Sequence, residues 1–162
     1  MVMTPPRPAR SVRTPDAWLQ LDHQLCFALY SASLAMTKVY KPLLEPLGLT
    51  YPQYLALLLL WERDAQTVSE LGERLFLDSG TLTPLLKRME AAGRVIRERA
   101  ADDERRVIVS LTAEGRDLRR LARAVPRQLA QATGCSADEL TALTTRLQQL
   151  RSQLQGVASP EH

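Results

Sequence analysis

The chain has 162 residues, 45% of them apolar, 24% charged and 5% aromatic, an ordinary globular balance that favours one domain with a Leu- and Ala-rich helical core. Lys and Arg outnumber Asp and Glu by 21 to 18 for a net charge of +3, too mild by itself to establish nucleic-acid binding. Two cysteines do not make a disulfide scaffold. No apolar run is long enough to span a bilayer, and the basic N-terminus lacks an apolar signal core. A cytoplasmic protein with reduced thiols is therefore expected.

Residues 1–14 are proline-rich and basic and read as a disordered arm. Asp16 is a candidate N-cap for a first helix to about residue 39, with Leu21, Leu25, Ala28, Leu29, Ala32 and Ala35 at helical spacing. Pro42 and Pro46 bracket a short helical piece, Gly48 breaks the chain, and Thr50 caps a helix from 51 to about 63. That helix is apolar nearly all round and is expected to be buried. Thr67 to Glu70 has the capping-box pattern and opens a short helix to about residue 75. Phe76-Leu77 forms a tight turn. Asp78 or Ser79 then caps a helix that Gly93 ends.

Two helices joined by a few residues form a helix-turn-helix pattern. After Gly93 the period changes to that of strands, at 95–99 and 106–111, with a polar link between them. A hairpin directly after a helix-turn-helix makes a winged module, about 51–111. Thr112 caps a helix from about 113 to 132 with Pro126 bending it, and Thr133-Gly134-Cys135 is a break. Ser136 to Glu139 is another capping box, opening a last helix to about residue 155, with 156–162 as a disordered tail. The fold class is mainly α with a β-hairpin wing. Residues 15–155 read as one domain whose flanking helices, about 15–47 and 113–155, have too little apolar partner surface within one chain and are expected to pair with a second copy.

Cations crowd the middle of the chain: Lys87, Arg88, Arg94, Arg97, Arg99, Arg105 and Arg106, then Arg116, Arg119, Arg120, Arg123 and Arg127. Ser79, Thr81 and Thr83 lie in the first turns of the second helix, where side chains can touch base edges or phosphates; Lys87 and Arg88 lie further along and suit phosphate. For Arg94, Arg97 and Arg99 a solvated face is as good an account as a contact. Cys26 and Tyr30 are four apart and share a helical face. A cysteine in an apolar helix is, taken alone, most often a small buried hydrophobe, and tyrosines in a leucine-rich core are most often packing residues. His23 and His162 are the only histidines and the cysteines lie far apart, so no metal-ligand cluster is expected; no glycine-rich phosphate loop or Ser-His-Asp set is present, and no cofactor is implied.

The helical frame around a central winged helix-turn-helix resembles the MarR family of dimeric bacterial repressors. Three stretches, Leu21-Asp22-His23-Gln24-Leu25-Cys26-Phe27-Ala28-Leu29-Tyr30, Gly48-Leu49-Thr50-Tyr51-Pro52-Gln53-Tyr54 and Leu77-Asp78-Ser79-Gly80-Thr81-Leu82-Thr83-Pro84-Leu85-Leu86-Lys87-Arg88, resemble its OhrR branch, whose members sense organic hydroperoxides. The resemblance runs from about residue 17 to 155. Gly80 stands where alanine is expected, at a propensity cost of up to roughly 1 kcal/mol.

The resemblance implies a homodimeric repressor of double-stranded DNA that reads a pseudo-palindromic operator, with organic hydroperoxide as inducer and no membrane partner. It implies that Cys26 is the redox-sensing thiol, activated by Tyr40 and Tyr51 with Tyr30 beside it. A thiol reacts with peroxide as the thiolate, and phenol donors favour that form. Cys135 resembles the second thiol of the two-cysteine subclass, which implies disulfide formation with the other subunit after Cys26 is oxidised to sulfenic acid. Asp103-Glu104-Arg105 matches the family's Asp-x-Arg wing, so Arg105, held by Asp103, is expected in the minor groove. Two alternatives stand beside this: a MarR-type regulator answering a small phenolic ligand, and a thiol-dependent peroxidase, which leaves the winged module unexplained. The expectation is a regulator, not an enzyme.

Overall fold

A computed structural model describes residues 15–158; the arm read at 1–14 and residues 159–162 of the tail lie outside them. The chain divides into two compact units, one through Lys38 and the other from Val39 onward.

In the first unit, two 3₁₀ turns, Pro15–Leu19 and Leu21–His23, precede the helix α1, Leu25–Leu44, whose residues from Val39 on belong to the second unit. This corrects the single helix expected from Asp16 to about 39. The side chain of Gln24 donates to the Trp18 carbonyl and His23 Nδ1 lies 2.6 Å from the Ala17 carbonyl, so side chains compete with helical pairing there. Pro42 is an interior residue of α1 and does not end it. Trp18, Leu21, Leu25, Phe27, Tyr30 and Leu34 are all exposed.

In the second unit the elements are α2 (Tyr51–Glu62), β1 (Gln66–Thr67), α3 (Val68–Leu75), α4 (Ser79–Ala91), β2 (Val95–Arg99), β3 (Val107–Leu111), α5 (Ala113–Ala122), α6 (Val125–Thr133) and α7 (Ala137–Ala158). The caps account for most boundaries. Thr50 and Gln53 form a capping box at α2, Thr67 and Glu70 form one at α3, and Asp78 accepts from the Thr81 amide at α4. Ser136 and Glu139 exchange hydrogen bonds at α7. The strands form an antiparallel sheet in the order β1-β3-β2, with Arg97 opposite Val109. The two-residue β1 was not foreseen, because a pair of residues carries no period.

The core lies inside the winged module. Leu57 and Leu60 of α2, Leu71 of α3, Leu82, Leu86 and Met89 of α4, Val95 and Val109 of the sheet are fully buried. Asp64 ties three elements together: its carboxylate accepts from the amides of Ala65 and Leu111, both at 2.8 Å, and from Arg116 of α5 at 3.1 Å. Arg94 pairs with Glu114 of α5 at 2.7 Å and donates to the Leu47 carbonyl. Here α5 comes so close that a Cβ on Gly115 would sit 2.1 Å from the Arg94 carbonyl oxygen, while Trp61 Nε1 donates to the Gly115 carbonyl at 2.9 Å. Only glycine fits at that crossing.

The helix expected from 113 to 132 is broken, not bent: α5 stops at Ala122 and α6 starts at Val125, with Pro126 in its first turn. The last helix runs on to Ala158, three residues into the stretch read as tail. Along it Leu140, Leu143, Leu147, Leu150, Leu154 and Val157 alternate three and four apart, the spacing of a helix–helix seam. Leu143, Leu154 and Val157 are more than half exposed.

Candidate nucleic-acid interface and thiol site

The second helix of the helix-turn-helix presents its first turns outward. Ser79, Gly80 and Thr81 are exposed and Thr83 is half-buried. Asp78 organises this end: it takes the Thr81 amide at 2.9 Å and the Thr81 hydroxyl at 3.1 Å, contacts that hold its carboxyl below the usual carboxylate range. A Cβ on residue 80 would lie 3.0 Å from Asp78 Oδ1, so the glycine that departs from expectation fits the crowding at this cap. Lys87 and Arg88 are exposed two turns further on.

The wing carries Arg105, whose backbone amide and Nε both donate to Asp103 Oδ1, at 3.0 and 3.3 Å. Its side chain is 93% exposed, so the pairing orients the guanidinium without burying it. Arg106 pairs with Asp102 at 3.2 Å and Arg99 donates to the Glu104 carbonyl. A cleft of about 240 Å3 separates helix from wing, lined by Ser69, Ser79 and Thr83 on one side and Arg97, Arg105 and Arg106 on the other. Cations and hydroxyls therefore line one cleft, side-chain types that suit phosphate oxygens.

Three arginines of the basic stretch sort themselves here. Arg94 is largely buried in its ion pair with Glu114, a structural role. Arg97 forks onto Glu90 of α4, with Nε at 3.0 Å and Nη2 at 2.8 Å from Oε2, and its amide donates to Oε1 at 3.0 Å. Arg99 is committed to the wing's own backbone. The Glu90–Arg97 link was invisible in the sequence: the seven-residue spacing crosses a helix end and a turn, so no periodicity reveals it.

The thiol candidates fall in different units. In the first, Cys26 and Tyr30 are both exposed on α1. Cys26 is thus not the buried hydrophobe that its surroundings in the sequence suggest. In the second, Tyr40 and Tyr51 stack with ring centroids 4.5 Å apart and Tyr54 lies 6.0 Å from Tyr40. Burial, with the neighbouring phenols adding to it, pushes Tyr40 up to about 12. Burial also raises Tyr51, and it raises Tyr54 with help from Tyr51. These phenols keep their protons throughout the physiological range and remain donors. Tyr54, which the sequence reading did not single out, belongs to the cluster and stands edge-on to Trp61 at 6.5 Å. Next to it Tyr54, Leu58, Trp61, Ala122 and Pro126, with Arg119 and Arg123 among them, line a mainly apolar cleft of about 240 Å3.

Cys135 is exposed in the break between α6 and α7, its amide bonded to the Thr133 hydroxyl. Further along α7, Arg151 lies 4.5 Å over the ring of Phe76, the left-handed turn residue of the helix-turn-helix. Among the described residues no single helix is long and apolar enough to cross a membrane.

Comparison with known proteins gives a consistent answer. Residues 38–120 match the family described as transcriptional regulator SarA/Rot. The chain is 51% identical to the organic hydroperoxide resistance transcriptional regulator of Bacillus subtilis over 80% of its length and 88% of that protein's. It is 37% identical to reduced AbfR bound to DNA, a Staphylococcus epidermidis protein, at a TM-score of 0.71 over 87% of this chain and 99% of the other. Against disulfide-formed AbfR the identity is 38% and the TM-score 0.59, over 82% and 93% of the two chains. These proteins are regulators, not enzymes.

Proposed function

Because this chain belongs to the MarR family of winged-helix, DNA-binding transcriptional regulators, among the organic hydroperoxide regulators and their SarA/Rot relatives, we propose that it is a homodimeric cytoplasmic repressor that releases its operator when Cys26 is oxidised. The observation that carries this is the 51% identity to a regulator of organic hydroperoxide resistance over 80% of this chain. The accessible thiol and the proton-retaining phenols support it chemically.

The Cys26 thiolate attacks the terminal peroxide oxygen. The O–O bond breaks, the sulfur is oxidised to sulfenic acid, and the departing alkoxide takes a proton to leave as an alcohol. Tyr40 and Tyr51, which keep their protons, are the phenols that the resemblance assigns to thiol activation, since a phenol donor favours the thiolate. Cys135 of the second subunit then attacks the sulfenic sulfur, expelling water and forming a disulfide. That covalent change moves the frame helices and respaces two winged modules against a fixed half-site separation, about one helical turn. The α7 seam, exposed in one chain, is the surface a second copy covers.

The test is duplex binding before and after one equivalent of cumene hydroperoxide, using operator DNA selected from a random pool. Wild type is expected to bind and then release; Cys26→Ser is expected to bind and stay bound. Release that survives in Cys26→Ser would remove the thiol from the mechanism. Cys135→Ser is expected to stop at sulfenic acid and to give no covalent dimer on a non-reducing gel.

A further inference from the structure

The wing projects from the winged module at the edge of its sheet. In the order β1-β3-β2, strand β2 has no strand beyond it among the described residues, so its outer backbone groups need another partner. Glu90 is that partner at Arg97. One carboxylate takes the Arg97 amide at 3.0 Å, its Nε at 3.0 Å and its Nη2 at 2.8 Å. Charge-assisted, forked contacts of this kind are stronger and more directional than neutral ones. The pair is partly shielded on the arginine side, with the Arg97 side chain 21% and the Glu90 side chain 37% exposed.

Its position matters more than its strength. Glu90 stands in the last turn of α4, the helix whose first turns carry Ser79, Thr81 and Thr83. Arg97 stands at the middle of β2, the strand that leads into the turn bearing Arg105. The helix and the wing face each other across the cleft lined by Ser79, Thr83, Arg97, Arg105 and Arg106. The covalent route between them passes through a short turn at Gly93, where φ is +72°. A five-residue hairpin strand hinged on a glycine turn needs a second point of attachment to hold its angle, and the carboxylate provides it.

We propose that Glu90 is a positioning residue for DNA recognition: by gripping the edge of β2 through Arg97 it sets the angle of the wing to the recognition helix, so that Arg105 meets the minor groove while Ser79, Thr81 and Thr83 lie in the major groove. This rests on Arg105 and the recognition helix being the DNA contacts. Arg97, on this account, acts through the wing and not on the duplex.

A double-mutant cycle on selected operator DNA tests it, with Glu90→Gln, Arg105→Ala and the double variant in the full-length chain. Arg105→Ala is expected to weaken binding about tenfold and to lower the salt slope by about one. Glu90→Gln, which removes no group that touches DNA, is expected to weaken it by about the same factor and to lower the salt slope likewise. In the double variant the loss is expected to stay near tenfold, because an unpositioned wing has no contact left to lose. Losses that multiply to about a hundredfold, with the salt slope of Glu90→Gln unchanged, would overturn the positioning role and leave Arg105 as a DNA contact. Arg105→Ala at wild-type affinity would overturn the wing assignment and the proposal with it. If Glu90→Gln does not fold, Arg97→Lys, which keeps the charge and gives up the fork, enters the same cycle with the same expected outcomes.

Discussion

The winged module and the last helix are built on opposite principles. In the module nearly every apolar side chain finds a partner in its own chain: Leu57, Leu71, Leu86 and Val109 are completely enclosed, and Asp64 and Arg94 rivet the elements together. Along α7 Leu143, Leu147, Leu154 and Val157, four of the six apolar residues at seam spacing, are exposed, and the first unit exposes Leu25, Phe27 and Leu34. The module encloses its own core; the flanking helices carry exposed apolar surface, which on the proposed reading a second copy covers. Substitutions should therefore act on folding in one region and on assembly in the other.

The largest expected effect breaks the module at its tightest point. Gly115→Ala would force α5 away from the Arg94 carbonyl and strain the Trp61 contact, costing about 3 kcal/mol or more by overpacking; a urea melt measures this. Next comes the contrasting region. Leu143→Arg with Leu147→Arg is expected to leave the melt of the module unchanged, to give a monomer by sedimentation, and to weaken operator binding roughly 100-fold through loss of bivalence. A monomer that binds DNA as tightly as wild type, or an unfolded chain, would erase the distinction between the two regions.

Asp64→Ala sharpens it on the acid side. Burial alone would raise the Asp64 carboxyl, but the Leu111 and Ala65 amides and Arg116 outweigh it and hold it below the ordinary carboxylate value. A group lowered in the folded state stabilises above its unfolded pKa, about 3.9, and loses that contribution as pH falls through the lower folded value. The variant should therefore be less stable by about 2 kcal/mol at neutral pH, and the gap should close in acid. Equal melts at pH 7 would show the rivet to be idle. The smallest effect concerns the phenols. Tyr40→Phe keeps the ring stack and removes one donor, so the oxidation rate of Cys26 is expected to fall about tenfold or less with operator affinity unchanged. An unaltered rate, read by stopped-flow thiol loss, would leave Tyr40 as packing alone.

Much of the winged module was legible in the chain because local chemistry marks it. Thr50, Thr67, Asp78 and Thr112 cap the helices they were expected to cap, and β-branched runs announce the hairpin. The N-terminal stretch was not legible, because Gln24 and His23 bond to carbonyls six residues back and no helical period records that competition. Pro126 was seen but its consequence was underestimated: the chain leaves the helix at Arg123 and Ala124 before starting again. For the thiols, apolar neighbours in the sequence pointed to burial, whereas burial depends on what packs across α1, and Cys26 is exposed.

The sequence by itself determined where helices start and stop, that a hairpin follows a helix-turn-helix, and which residue types the two sites contain, since capping, periodicity and side-chain chemistry act over a few neighbouring residues. Only the tertiary structure decided which charges are shielded in ion pairs and which stay exposed. Arg94, Arg97 and Arg105 look alike in the chain, yet Arg94 is spent on α5, Arg97 on Glu90, and Arg105 alone of the three reaches outward. The physical reason is that a cation's role is set by the carboxylates that folding brings within about 3 Å of it, and those lie 20 residues away for Arg94 and seven for Arg97, across turns that no local pattern can see.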